Sequence, residues 1–147
     1  MTLRIFGLVL VIGLSVDGMI FAQTASACRC REPAASAAYK MADRVVLARV
    51  VAVESGNARA AVMRLAVKEA WKVPSVEQIL VVTGEPCAYP VAVDEIHLLF
   101  LKVTPSGQLE TARCYGNGPL SMRSAALAWL RRHAKQVPVT AGGPPRD

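Results

Sequence analysis

The chain of 147 residues has little of what catalysis usually requires. It holds two histidines, His97 and His133, with no ligand-like spacing between them, and both read as ordinary structural residues. It has no H-E-x-x-H, no glycine-rich phosphate loop and no nucleophile–base motif, so nothing argues for an enzyme and no cofactor is expected. Aromatic residues make up only 5%, too few for the stacking platforms that hold single-stranded nucleic acid, so no nucleic-acid partner is expected. Long apolar runs are scarce as well. The longest, residues 6–16, is interrupted by Asp17 well short of the ~20 residues that a spanning helix needs, so no membrane span is expected.

What that run does fit is a secretion signal. Arg4 supplies a positive start, residues 6–16 are apolar apart from two glycines and Ser15, and Ala25-Ser26-Ala27 places small residues at the −3 and −1 positions of a cut before Cys28. Residues 1–27 are therefore read as a signal peptide, and the protein as secreted, extracellular or periplasmic. The 120 residues that remain suit one domain with a real core. Arg4 and Asp17 leave together, so the net charge stays at +6, an excess that favours anionic surfaces without identifying one. All four cysteines, Cys28, Cys30, Cys87 and Cys114, lie beyond the cut, and an even count in an exported chain reads as two disulfides. A lipoprotein reading, with Cys28 acylated, is opposed by alanine rather than leucine at −3 and by the polar Gln23-Thr24 just before it.

The mature chain is rich in strand signals. A short helix is expected over residues 34–41, behind Pro33. "RVVLARVVAVES", 44–55, is apolar on both alternating faces and reads as a strand buried on two sides. "SGN", 55–57, is a turn signal. In "AAVMRLAVKEAW", 60–71, Met63, Leu65, Val67 and Trp71 fall on one face and Arg64 and Lys68 on the other, a half-exposed strand. Strands are expected at 78–84, 95–103 and 108–114, with a loop at 85–95 and a hairpin turn at 104–107. Ser121 is expected to cap a last helix running to His133, with Leu120, Leu127 and Leu130 on one face. The domain is drawn as 28–136, and the Pro/Gly-rich 137–147 as a disordered tail. Five strands with a helix at each end suggest a small closed barrel, a mainly β fold.

Four cysteines allow three pairings. A bond between Cys28 and Cys30 would close a strained ring, so both are expected to reach outward, one to Cys87 and one to Cys114. By the chain-entropy estimate each such bond is worth about 4 kcal/mol.

These features together resemble the netrin-like module, and within it the N-terminal domain of the tissue inhibitors of metalloproteinases. The features are "CRC" at the mature terminus, "ADRVVLARVVAV", "VKEAWK", "VVTGEPCAYPV", "EIHLLFLKVTPSGQLETARCYGNGPL" and the closing helix, covering most of residues 28–134. The resemblance implies a five-stranded oligonucleotide/oligosaccharide-binding (OB-fold) barrel and the pairing Cys28–Cys87 and Cys30–Cys114. It implies that the amine and carbonyl of Cys28 chelate the zinc of a target metalloprotease, which keeps an open coordination position for them. It also implies that Cys28, Arg29 and Cys30 form a contact wedge, with Arg29 entering the pocket beside the metal, and that Glu85, Pro86 and Ala88 form a neighbouring ridge. Arg29 stands where the inhibitors carry a small hydroxylated residue. The alternative is a non-inhibitory binding module of the extracellular space or cell envelope, its cysteines purely structural. Arg123, Arg131, Arg132 and Lys135 on the last helix offer such a module an anionic surface or glycan as a partner.

Overall fold

The computed structural model describes residues 28–55, 60–84 and 87–142. The proposed signal peptide lies outside the described residues, as do most of the turn at 55–57 and two members of the expected ridge, Glu85 and Pro86. Helix α1 is Ala35–Met41, followed by strands β1 (Arg44–Ser55), β2 (Ala60–Trp71), β3 (Ser75–Val76), β4 (Gln78–Gly84), β5 (Ile96–Val103), β6 (Leu109–Thr111) and β7 (Gly118–Pro119). Helix α2, Leu120–His133, precedes β8 (Gln136–Val137) and β9 (Val139–Thr140).

The main sheet runs β1-β2-β4-β6-β5 and closes where β5 pairs back onto β1. The pair β4–β6 is parallel, while the other pairs of the five are antiparallel. This is the closed five-stranded barrel expected from the sequence, with the connectivity of an OB-fold.

Two apolar clusters explain the closure. The barrel interior is filled by Val46, Ala48, Val50, Met63, Leu65 and Val81 with their neighbours on β4 and β5. Outside it, Val45, Leu47, Trp71, Leu98 and Phe100 pack under α1 and α2 against Leu127 and Leu130. Strands β1 and β5 therefore bury consecutive residues, Val45–Ala48 and Leu98–Leu101, one face serving each cluster.

Trp71 departs from the expected face. Leu47 pairs with Glu69 but Ala48 pairs with Val67, so Lys68 is an extra residue. This bulge reverses the alternation: Ala70 turns into the barrel and Trp71 turns outward under the helices. Trp71 is fully buried, and its indole Nε1–H finds no acceptor among the described residues.

Three further expectations need correction. Ser121 caps nothing: α2 starts at Leu120 behind Pro119, whose φ of −60° suits a helix entry and whose missing N–H costs nothing there. The fifth barrel strand stops at Thr111, not Cys114, and the chain leaves the sheet through a 3-10 turn, Arg113–Tyr115. Finally, regular structure does not end at residue 136. Val137 pairs with Ala70 on β2, and Val139–Thr140 runs parallel to β3. The reason is the alternating valines: Val137 and Val139 both pack against the barrel's interior cluster. Among the described residues, no helix is long and apolar enough to cross a membrane.

Candidate functional site

Segment 28–30 has no regular secondary structure and is held at both ends by sulfur. Cys28 is bonded to Cys87 in the β4–β5 connection, with Cα atoms 5.7 Å apart, and Cys30 to Cys114 in the 3-10 turn, with Cα atoms 5.1 Å apart. The two receiving loops are themselves joined, because the Arg113 amide donates to the Cys87 carbonyl at 3.0 Å. This link explains why β6 is short. The chain must turn off the sheet at Ala112 to bring Cys114 under Cys30, and Gly116, at φ +91°, completes the turn. A Cβ on Gly116 would stand 3.1 Å from the Ala38 Cβ and 3.2 Å from the Pro33 Cγ, so that glycine also permits the close approach of the N-terminal segment.

Below the disulfides lies a polar network. Tyr89, two residues after Cys87, is fixed by its amide donating to Thr83 Oγ1 at 2.5 Å. Its hydroxyl meets His97 Nδ1 at 2.8 Å, and His97 Nε2 meets Glu95 Oε2 at 2.9 Å. His97 is 2% exposed, so this chain of contacts is buried at its centre. Burial, with the Glu95 charge adding to it, pushes the Tyr89 phenol well above its ordinary range.

On the other side, buried Asn117 bridges three chain segments. Its Oδ1 accepts from the Phe100 amide at 2.7 Å, and its Nδ2 donates to Thr111 Oγ1 at 2.6 Å and to the Ala112 carbonyl at 2.8 Å. The Asn117 carbonyl in turn accepts from Arg123 Nε and a terminal guanidinium nitrogen, at 3.0 and 2.9 Å. Arg123 also forms an ion pair with Glu32, two residues beyond Cys30. Burial of the Arg123 guanidinium lowers its pKa. A Cβ on Gly118 would fall 2.5 Å from Arg123 Nε, so only glycine leaves room for this latch.

Of the expected contact residues, Cys28, Arg29 and Cys30 are contiguous at the surface, and Arg29 is exposed. Ala88 is half-buried beside Cys87. A groove of about 350 Å³ runs along the disulfides, lined by Cys28, Cys30, Tyr89, Pro90, Arg113 and Met122 among others. The basic helix is less free than its sequence suggests. Arg123 is held by Glu32 and Arg131 by Glu69, leaving Arg132 and Lys135 exposed. His133 stacks on Trp129, with ring centres 5.1 Å apart.

The Glu32–Arg123–Asn117 latch and the Tyr89–His97–Glu95 chain were not visible in the sequence. The one local signal was "GNG", 116–118, whose paired glycines flag a close approach around Asn117. Two disulfides are compatible with an oxidising compartment. No family model matches the chain, and no curated protein matches it either.

Proposed function

We propose that the exported chain, cut before Cys28, inhibits a zinc metalloendopeptidase through its new terminus, as do the netrin-like inhibitors it resembles. The observation that carries this reading is the double anchoring of residues 28–30. One disulfide holds each cysteine, and the Arg113–Cys87 hydrogen bond joins the two loops that receive them. A segment so held loses little freedom when it enters a cleft, and this lowers the cost of binding. The α-amino nitrogen created by the cut and the Cys28 carbonyl oxygen form a five-membered chelate ring on a zinc that has an open position. Arg29 enters the pocket beside the metal, and the segment around Cys87 and Ala88 lies along the cleft.

The test is to extend the mature protein by one alanine, which converts the amine to an amide. Inhibition of a zinc endopeptidase is expected to fall by two orders of magnitude or more (about 3 kcal/mol), with an unchanged unfolding midpoint. Undiminished inhibition by the extended protein sinks the mechanism.

A second reading, a binding module with purely structural cysteines, draws support from a groove of about 410 Å³ between α1 and α2. Trp129, Arg132 and the 73%-exposed Met122 line it. Ligand capture that survives the alanine extension and is lost in Trp129→Ala favours that reading.

A further inference from the structure

The charge around the wedge says what kind of partner it fits. Among the described residues, three arginines are neutralised by the protein's own carboxylates: Arg64 by Glu54, Arg123 by Glu32 and Arg131 by Glu69. The arginines around the wedge are not among them. Arg29, between the two bridged cysteines, Arg31, directly after them, and Arg113, beside Cys114 in the groove wall, are all exposed. None of the three forms an ion pair among the described residues. The nearest acid in sequence, Glu32, is already held by Arg123.

A guanidinium carried into a closed apolar pocket without a counter-charge loses its hydration with no return, and its pKa is too high for it to neutralise itself by giving up a proton. The pocket that receives Arg29 must therefore supply the carboxylate. Resting on the inhibitory reading above, we infer that the target is a zinc endopeptidase whose pocket next to the metal is acidic, one that cleaves on the amino side of lysine or arginine. Arg29 then sets specificity by occupying the place of the substrate's basic side chain. Arg31 and Arg113 face the acidic rim of the same cleft, where exposed charge acts on the rate of encounter.

The experiment uses exported protein whose first residue is verified as Cys28, with two purified zinc endopeptidases, one cleaving before lysine and one before leucine. The native protein is expected to inhibit the lysine-directed enzyme at least roughly tenfold more tightly. Arg29→Leu is expected to reverse that preference, and Arg29→Lys to keep it. Arg113→Ala is expected to slow association and flatten its salt dependence while leaving dissociation nearly unchanged. Arg29 is exposed, so unfolding midpoints should match across the set.

A native preference for the leucine-directed enzyme overturns the inference, as does an Arg29→Leu variant that behaves like the native protein on both. If the native protein inhibits neither enzyme, or the alanine-extended form inhibits as well as the native one, the inhibitory reading itself fails. The two failures are thereby told apart.

Discussion

Tyr89 is held as a neutral phenol, and its hydroxyl is committed to His97. Burial raises its pKa in the folded chain, while the unfolded chain ionises near pH 10. Above that pH the unfolded state has released a proton that the folded state still holds, so stability, fully present below pH 10, falls as pH rises. Tyr89→Phe removes this contribution. Urea unfolding between pH 9 and 11 should show a shallower alkaline decline in the variant than in the native protein. Asn117 is the second sensitive residue. Asn117→Ala leaves the buried Phe100 amide without this acceptor and the Thr111 hydroxyl and Ala112 carbonyl without this donor, while the backbone carbonyl that receives Arg123 remains, so a loss of about 3 kcal/mol is expected. Gly118→Ala tests the latch more gently. Its Cβ displaces Arg123, and the expected signature is faster reduction of Cys30–Cys114 by a small thiol, with smaller loss of stability than in Asn117→Ala.

Among the elements, the long strands were legible because each carries a periodic signal several residues long. β1, β2 and β4 begin and end where their sequences said they would. The errors lie where a single residue or a distant partner decides. Alternation cannot reveal that Lys68 is an inserted residue, so Trp71 was read on the wrong face. The tail was read as disordered from its Pro/Gly content, yet Val137 and Val139 pack against the barrel's interior cluster. The candidate site divides the same way. The cysteines and Arg29 announce themselves by spacing and position, whereas the Glu32–Arg123 pair and the Tyr89–His97 bond join residues whose proximity exists only after folding. The tail makes a clean test at this scale. Truncation after Lys135 removes both valines and the strand that pairs with β3, exposing part of the interior cluster. At about 25 cal/mol per Å² of apolar area, two half-buried valines contribute roughly 2 kcal/mol, to be read as a lower urea midpoint with retained barrel circular dichroism.

At the scale of the whole molecule, the barrel and the wedge are separate stability problems with one shared joint. Closure of β5 onto β1 leaves the barrel without a long free edge, and both apolar clusters form without any contribution from residues 28–30. The wedge, by contrast, has no sheet pairing and is tied by two bonds spanning 59 and 84 residues. Replacing one pair, Cys28→Ser with Cys87→Ser, should cost about 4 kcal/mol through the larger freedom of the unfolded chain, within the 5–15 kcal/mol typical of a domain. The barrel is therefore expected to remain folded, with a cooperative transition at lower urea and an undiminished slope. Residue 28 would then lose its covalent tie to the β4–β5 connection. If inhibition depends on a rigid wedge, this variant should bind its protease at least tenfold more weakly while keeping a native barrel. The same variant with native affinity would mean that the terminus is oriented without the Cys28–Cys87 bond.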